Sequence, residues 1–207
     1  MIQVSARFLE GYSEGNDIVA EADGKAEYFP MFRQETGKMM SLSDFVIPKN
    51  SGRTSPFGVF AISVGKRSKA HVEGCSCPAC NSRYEDMIGR TVRQTIAEAA
   101  SKWMSARIEK ELHDGSVKVI KPAAGYSSCP DHTLKQDILN LTGDLGIKLT
   151  ESYAMTPEAS ICGMVFMHSA ACYPEIRTVS CEQYEDYCRR RQMDEKTARQ
   201  FLGYLLK

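Results

Sequence analysis

A short stretch at residues 125–133 (GYSSCPDHT) places a phenol, a thiol, a carboxyl group and an imidazole within nine residues. Such groups could form a thiolate activated by an imidazole, a sulfur and nitrogen metal site, or a helix cap. Cys129 and His132 lie on either side of a predicted strand-to-helix turn, and no acid is identifiable that would orient the imidazole. The pattern therefore disfavours a cysteine hydrolase. The sequence also contains neither a Gly-x-Ser-x-Gly elbow nor a glycine-rich phosphate-binding loop.

A second group of residues that could bind a metal or carry out redox chemistry is the segment CSCPAC, which contains Cys75, Cys77 and Cys80. Thiols at this spacing could bind zinc or an iron–sulfur cluster if His71 or Cys129 supplied a fourth ligand. A closed zinc site normally needs two ligand pairs, however, and the sequence has no second Cys-x-x-Cys. We therefore expect no metal here, while a Cys-rich metal or redox protein remains an alternative hypothesis.

The composition is that of a globular protein, with 43% hydrophobic and 25% charged residues, and we expect a single domain over residues 1–207. Lysine plus arginine and aspartate plus glutamate both number 26, so no net charge attracts nucleic acid or an anionic membrane. The apolar runs are too short to span a bilayer, and the N-terminus does not resemble a signal peptide. We expect a cytoplasmic protein with reduced thiols, no nucleic-acid partner and no membrane partner.

The first third of the chain predicts β structure. Segments 18–22 and 25–29 flank Asp23-Gly24, a pair that suits the two-residue turn of a β-hairpin. The apolar segment 57–64 predicts another strand, and the segment 160–168 predicts a strand that is buried on both faces. Alternating side chains over residues 147–155 predict one more strand.

Helical periodicity predicts the remaining elements. A long helix is expected over residues 82–112, with an apolar stripe made of Tyr84, Ile88, Val92, Ile96, Ala99, Trp103 and Ile108. Asp131 is the expected N-cap of a shorter helix, and Gly143 lies at its expected C-terminal end. Two further helices are expected from Ser180, in a capping box, and from Asp194. The order of elements predicts an α+β fold, with an antiparallel or mixed twisted sheet flanked by helices.

Three segments of the chain stand out: KPAAGYSSCPDHTLK at 121–135, KLTESYAMTPEASICGMVFMHSAACY at 148–173 and EQYEDYCRRRQM at 182–193. They closely resemble the C-terminal activation domain of cobalamin-dependent methionine synthase. Upstream segments are similar to the same family in the same order: SLSDFVIPK at 41–49, GVFAISVG at 58–65 and TIAEAASKWMSARI at 95–108. The resemblance covers nearly the whole chain and implies the fold of that activation domain.

The resemblance also implies a function. Methionine synthase is a methyltransferase of methionine biosynthesis. The family's activation domain binds S-adenosylmethionine (AdoMet) and moves over the neighbouring cobalamin domain of the same enzyme. When the cobalamin has been oxidised to cob(II)alamin, a flavodoxin-like reductant supplies an electron and AdoMet supplies the methyl group. We therefore expect a reactivation module whose cobalamin is carried by a partner domain or by a corrinoid protein in trans. Because the chain lacks the other methionine synthase modules, we assign no catalytic residue and expect no methionine turnover by this chain alone.

AdoMet carries positive groups, which an acidic side chain should meet, and a carboxylate, which a basic side chain should meet. Glu98 matches the family's helical glutamate, although an ion pair with Lys102 at i,i+4 is the alternative role of this residue. Lys121 stands where the family pattern has arginine. Because lysine binds a carboxylate without arginine's bidentate geometry, we expect weaker binding of AdoMet.

The loop at the start of segment 121–135 supplies further expected contacts with AdoMet and the corrin. Pro122, Ala123 and Gly125 would offer backbone groups to the edge of the adenine, and Gly125 would allow close approach. Tyr126 matches the family's tyrosine that faces the upper side of the corrin. His132 matches the histidine beside that face, and its alternative role is to complete the helix cap.

Two departures from the family pattern concern AdoMet affinity. Cys172 and Tyr173 fall where the family often has two aromatic residues flanking the nucleoside, so Cys172 removes one stacking surface. The family's domain also begins with a helical segment whose Asp-Trp pair contributes an aspartate to AdoMet. Since Trp103, the single tryptophan, lies in the predicted long helix, we expect the chain to lack that N-terminal part. A corrinoid-protein binding or regulatory module with a degenerate AdoMet site is therefore an alternative hypothesis.

Overall fold

The computed structural model describes residues 1–65, 83–112 and 115–207 and confirms the predicted α+β class. Its strands are β1 Ile2–Glu14, β2 Asp17–Ala22, β3 Lys25–Pro30, β4 Ser55–Val64, β5 Lys118–Ile120, β6 Lys148–Leu149, β7 Met155–Thr156 and β8 Ser160–His168. Six of them form one sheet in the order β3-β2-β1-β4-β8-β5. Each neighbouring pair in this order is antiparallel, so the antiparallel alternative is the observed one.

Helices cover both faces of this sheet. They are α1 Arg83–Leu112, α2 Leu134–Thr142, α3 Cys181–Arg191 and α4 Glu195–Leu202. Short 3₁₀ turns lie at Leu42–Phe45, Lys49–Ser51 and Gly203–Leu205. α1 packs with Phe60 and Ile62 of β4, whereas α2 packs with Phe57 and Val59 on the other face of that strand. Strands β4 and β8 are therefore buried on both faces, which confirms the prediction for segment 160–168.

The predicted hairpin between β2 and β3 is confirmed. Asp23 and Gly24 have φ values of 53° and 75°, as a primed two-residue turn requires. Asp23 also accepts two hydrogen bonds from the guanidinium of Arg7 on β1, at 2.8 and 3.0 Å. The turn is therefore tied to the strand beside it.

Strand β1 is a part of the sheet that the sequence analysis did not identify. It spans 13 residues and pairs with β4 from Ile2 opposite Val64 to Gly11 opposite Ser55. Its alternation of apolar and polar residues was the available signal. Gly11 is needed for the close pairing with β2, because a Cβ there would lie 2.9 Å from the carbonyl oxygen of Val19.

The predicted long helix is confirmed as α1, but most of its apolar stripe is exposed. Four residues of the predicted stripe are exposed: Ile88 (44%), Val92 (51%) and Trp103 (63%), and Ala99. The buried residues of the helix are Ala97, Met104 and Ile108, while the side chain of Tyr84 lies outside the described residues. Periodicity locates an apolar stripe on a helix, but it does not say whether the sheet or another surface covers that stripe.

The predicted starts of the last two helices are confirmed. The Ser180 hydroxyl accepts a hydrogen bond from the backbone N–H of Gln183 at 3.3 Å, and Asp194 caps α4 in the same way. The capping box before α3 is completed differently from the expected pattern, because Glu35 accepts the backbone N–H of Ser180. Gly143 is the C-cap of α2 with a φ of 81°, as predicted.

The continuous strand predicted over residues 147–155 is wrong. β6 and β7 have two residues each and are joined by a turn in which Tyr153 has a φ of 56°. The backbone N–H of Tyr153 donates to Thr150 O at 2.9 Å, and Thr150 and Ser152 hydroxyls lie 3.0 Å apart. Hydroxyl side chains that bond locally compete with strand pairing, which explains why the alternating pattern breaks here.

Among the described residues, none of the helices combines the length and the apolar character needed to cross a membrane.

Candidate functional site

The loop after β5 runs alongside β8 because one glycine leaves room for it. The backbone N–H of Met164 donates to Pro122 O at 3.0 Å, and Ala123 bridges to Gly163. A Cβ on Gly163 would lie 2.5 Å from Pro122 O and 2.9 Å from Ala123 Cα. The loop that contains Lys121, Pro122 and Ala123 is thus held against the sheet by close backbone contact.

The next residues form a tight turn that projects Tyr126 into solvent. Gly125 N–H donates to Cys129 O at 2.7 Å, and Cys129 N–H donates back to Tyr126 O at 2.8 Å. Ala123 O accepts the N–H of Tyr126 at 3.3 Å. Tyr126 is 70% exposed at this tip. Its hydroxyl is therefore free to meet a group outside the described chain.

Gly125 is required at the base of this turn for two reasons. Its φ is 92°, a left-handed conformation that favours glycine. The imidazole of His132 also lies directly over it, since a Cβ on Gly125 would be 2.3 Å from Cε1 of the ring. The ring of His132 therefore lies against the backbone of Gly125, at the base of the turn that carries Tyr126.

A buried lysine holds the His132 ring from behind. Lys135 Nζ lies 3.0 Å from His132 Nδ1 and donates to the carbonyl oxygen of Tyr153 at 2.9 Å. An ammonium group can only donate, so His132 Nδ1 is the acceptor and the ring proton is on Nε2. Burial, and then the charge of Lys135, lower the pKa of His132. His132 is therefore a neutral imidazole that presents an Nε2–H donor.

Asp131 anchors the loop to helix α3. It is 1% exposed, and its Oδ2 accepts the hydroxyl of Tyr187 at 2.8 Å. Its Oδ1 accepts the backbone N–H of Thr133 at 2.7 Å, so it closes the turn before α2. The predicted N-cap is corrected in this respect, because the helix itself begins at Leu134. Arg191 completes the group through an ion pair with Asp131 at 3.4 Å.

On the other side of the loop, Lys121 reaches helix α1. Its Nζ donates to the carbonyl oxygen of Ser101 at 2.6 Å and to the Ser101 hydroxyl at 2.8 Å. Ser101 follows Glu98 by three residues, so both side chains lie on neighbouring turns of one helix face. Burial lowers the pKa of Lys121, which carries its charge without a carboxylate in contact among the described residues. An acid and a base therefore flank Ser101.

Glu98 itself is exposed and has no hydrogen-bond or ion-pair partner in the part of the chain that the structure describes. The alternative i,i+4 pair with Lys102 is not formed. One turn beyond Ser101, the hydroxyl of Ser105 is buried, and the described residues offer it no hydrogen-bond partner. Glu98 thus gives this flank of α1 an exposed carboxylate that is available to a ligand.

The two residues expected to flank a nucleoside point to different places. The Tyr173 hydroxyl accepts the backbone N–H of Lys121 at 2.9 Å, and the side chain is exposed at the loop. Cys172 is half-buried and packs against the core, with its Sγ 3.6 Å from Met40 Sδ. The structure therefore brings Tyr173 to Lys121 but directs the thiol of Cys172 away from it.

The two buried thiols, Cys129 and Cys162, are not activated. Burial raises the pKa of Cys129 and raises that of Cys162 to about 12, so neither is a nucleophile at neutral pH. The described residues contain no cluster of His, Cys, Asp or Glu that could hold a metal. Cys75, Cys77 and Cys80 lie outside the described residues, so the absence of metal at that segment stays a prediction.

Sequence reasoning missed three residues that shape the site, namely Ser101, Lys135 and Gly163. Ser101 and Lys135 each follow a predicted residue, Glu98 and His132, by three positions on a helix or at its start. That spacing was the available signal, because residues three apart are neighbours on a helix face. Gly163 gave no such signal, since close backbone approach to another segment depends on tertiary structure.

Comparison with known proteins identifies what this arrangement resembles. A family model described as vitamin B12 dependent methionine synthase, activation domain, matches residues 2–192. The crystal structure of the MetH reactivation domain bound to AdoHcy is 27% identical to this chain in sequence, with a TM-score of 0.87. The match covers 99% of this chain and 70% of that chain. The described fold is therefore that of a methionine synthase reactivation domain.

Proposed function

The chain belongs to the family of vitamin B12-dependent methionine synthase activation domains, and from this premise we infer that it binds AdoMet and presents it to cob(II)alamin on a partner domain. The matched crystal structure holds AdoHcy, which differs from AdoMet by the transferable methyl group. The inferred role is reactivation by reductive methylation. Its cobalamin partner is a domain or corrinoid protein in trans, and its reductant is a flavodoxin-like protein.

One observation carries this proposal: Glu98 is unpaired among the described residues, on the same helix flank where Lys121 is anchored at Ser101. AdoMet needs a negative group for its sulfonium and ammonium and a positive group for its carboxylate. The pair Glu98 and Lys121 supplies both. Lys121 uses two of its three N–H donors on Ser101, which leaves one for a carboxylate.

The loop and Tyr173 form the remaining wall of the proposed AdoMet site. Pro122 O and Ala123 O each accept one internal hydrogen bond, and a carbonyl oxygen can accept a second one from the adenine amino group. Gly125 N–H is occupied by Cys129 O, so Gly125 contributes close approach and not a donor. Tyr173, rather than Cys172, supplies a ring surface for the nucleoside.

Tyr126 and His132 form the proposed cobalamin-facing end of the site. When bound to its partner, the cobalamin supplies the cobalt centre that takes up an electron and the methyl group. The exposed Tyr126 hydroxyl and the Nε2–H of His132 are hydrogen-bonding groups that can meet a ligand on the upper face of the corrin. The buried Lys135 holds the ring of His132, and Asp131 anchors the segment before α2 to α3.

Calorimetric titration of the intact protein with AdoMet tests the proposal. Glu98→Gln keeps the size of the side chain but removes its charge. Losing a charge-assisted hydrogen bond costs about 1.5–3 kcal/mol, so the dissociation constant should rise on the order of tenfold or more. Glu185→Gln, which changes an exposed glutamate of α3, is the matched control and should leave the affinity unchanged.

Two results would contradict the proposal in different ways. Equal affinities of wild type and Glu98→Gln would remove Glu98 from the site. Absence of any heat of AdoMet binding to the wild-type protein would favour the alternative of a corrinoid-protein binding module with a degenerate AdoMet site.

A further inference from the structure

Helix α1 carries an apolar stripe that the described chain leaves uncovered. We define the stripe as Ile88, Val92, Ala99 and Trp103, all of which are exposed. Their spacing follows one face of a helix. A row of exposed apolar side chains along one helix face is typical of an interaction site.

A second uncovered apolar group lies on the same side of the sheet. Ile2, Val4 and Phe8 of β1 are 52%, 40% and 45% exposed. They pair with Val64, Ile62 and Gly58 of β4, and the first two of these partners belong to the core beneath α1. Residues directly opposite each other in a ladder point to the same face of the sheet. The β1 row therefore widens the apolar surface on the α1 side.

The stripe points away from the proposed AdoMet site. At about 100° per residue, Ala99 lies roughly 160° around the helix from Ser101, and Trp103 lies roughly 140° from Glu98. Ser101 faces Lys121 at the edge of the sheet. A protein that covers the stripe would thus leave the Glu98 flank of α1 open.

The order of residues along the stripe fits a second copy of the same helix. If two α1 helices run antiparallel with Val92 of one opposite Ala99 of the other, then Ile88 falls opposite Trp103, because each lies four residues further out. A large side chain meets a small one in the middle, and large side chains meet at the ends. Each contact occurs twice, as a twofold interface requires.

The overall charge also favours a second copy as the occupant. The chain has equal numbers of acidic and basic residues, 26 each, so two copies approach without net repulsion. Proteins near zero net charge associate more readily than charged ones. We propose that the stripe is the interface of a twofold homodimer in which two α1 helices pack antiparallel.

This proposal goes beyond the AdoMet-binding function and does not depend on it. Sedimentation velocity over a concentration series measures the dimer directly, and Trp103 reports on its interface because it is the single tryptophan of the chain. We expect a concentration-dependent dimer. We also expect the Trp103 emission to shift to shorter wavelength and to resist acrylamide quenching as the dimer forms.

Two variants of exposed α1 residues locate the interface. Val92→Glu places a charge in the middle of the stripe and should raise the dimer dissociation constant on the order of tenfold or more. Gln94→Glu adds the same charge to an exposed residue outside the stripe and should leave the dimer intact. Because both positions are exposed, folding should be preserved, which circular dichroism checks. AdoMet titration of Val92→Glu should match wild type, so loss of the dimer and loss of the proposed function are measured separately.

Three results would overturn the proposal. A wild-type protein that stays monomeric throughout the series has no such dimer. A dimer that survives Val92→Glu, with Trp103 still open to quenching, has its interface elsewhere. A monomer in which Trp103 is already protected has the stripe covered by its own chain.

Discussion

Lys135 shows how a single buried side chain sets the chemistry of an exposed one. It is 8% exposed, and its ammonium is held between His132 Nδ1 and the carbonyl oxygen of Tyr153. Burial lowers the pKa of Lys135, and its charge helps to lower that of His132. The positive charge of Lys135 favours a neutral imidazole, and its hydrogen bond to Nδ1 places the ring proton on Nε2. The sequence predicted His132 as a site residue, but its tautomer and charge depend on a contact that only the fold brings about.

Replacing Lys135 by methionine should raise the pKa of His132. The variant removes a positive charge and a donor to Nδ1 while keeping an unbranched side chain of similar length. An NMR titration of the His132 ring measures the change, and the ring-nitrogen shifts should also show loss of the fixed tautomer. Lys148→Met changes an exposed lysine of β6. It is the control and should leave the pKa of His132 unchanged. An unchanged His132 pKa in Lys135→Met would mean that burial alone sets it.

The lowered pKa of His132 has a definite effect on stability. Well above the unfolded-state pKa, about 6.5, His132 is neutral in both states and contributes no pH dependence. As the pH falls below that value, the unfolded chain binds the proton first, so the free energy of unfolding decreases until the folded-state pKa has been passed. In His132→Gln this loss should be smaller, which urea denaturation at a series of pH values between neutral and mildly acidic measures. An identical pH dependence in wild type and variant would contradict the assignment.

At the scale of elements, turns, caps and strands with a short sequence signature were predicted better than features that depend on tertiary contacts. The Asp23-Gly24 turn, the Ser180 and Asp194 caps and the doubly buried β8 all have short sequence signatures, and the structure confirms them. The turn at residues 150–154 was wrongly predicted as part of a strand, and the sequence did not predict that the α1 stripe is exposed. In both places a periodic pattern was present, but hydroxyl hydrogen bonds or the position of the sheet decided the outcome. The close packing of the loop on Gly163 had no sequence signature at all.

A substitution at Gly163 therefore tests whether the packing of the loop on β8 positions the candidate site. In Gly163→Ala, the new methyl group meets Pro122 O at 2.5 Å, so the loop must move away from β8. Overpacking of this kind costs about 1–3 kcal/mol. We expect a lower free energy of unfolding and weaker AdoMet binding, because Lys121 and Ala123 lie on that loop.

Gly58→Ala provides the matched control on the neighbouring strand β4. Its methyl group would meet the ring of Phe8 and the Cβ of Val165, each at 3.0 Å. Because Val165 is fully buried, this variant should also lose stability. Its affinity for AdoMet should be unchanged, because neither contact belongs to the loop. If Gly163→Ala binds AdoMet as tightly as Gly58→Ala, the position of the loop does not determine binding.

At the scale of the whole molecule, the loop after β5 joins two surfaces with different properties. One side of the loop meets α1, where the Nζ of Lys121 donates to Ser101. The other side presents Tyr126 and His132 to solvent. The resemblance of short segments to the activation domain family predicted Lys121, Tyr126 and His132 as site residues, but not Ser101. The way in which a single loop connects them follows from its packing between α1 and β8.

The exposed tip of this loop leads to a prediction about the partner. Tyr126 is 70% exposed and makes no side-chain hydrogen bond with any described residue, so a hydroxyl at this position gains a partner only on docking. We expect the intact protein to bind a cobalamin-loaded domain in trans and to change the visible spectrum of its cob(II)alamin. Tyr126→Phe retains the ring that contacts the partner but removes the hydroxyl. It should therefore alter the spectrum of the complex more than it alters the affinity, which parallel spectroscopic and calorimetric titrations measure.

The control for this prediction is Tyr28→Phe, which removes the hydroxyl of another exposed tyrosine on β3 and should leave both spectrum and affinity as in wild type. Burying an unpaired polar group on the partner typically costs about 1–3 kcal/mol. A large loss of affinity in Tyr126→Phe without a spectral change would therefore place the hydroxyl against the partner protein instead of the corrin. A cob(II)alamin spectrum that stays unchanged at saturating wild-type protein would falsify the cobalamin-facing role of this loop. AdoMet binding would then stand as a separate property of the α1 flank, because Glu98 and Lys121 do not depend on the tip of the loop.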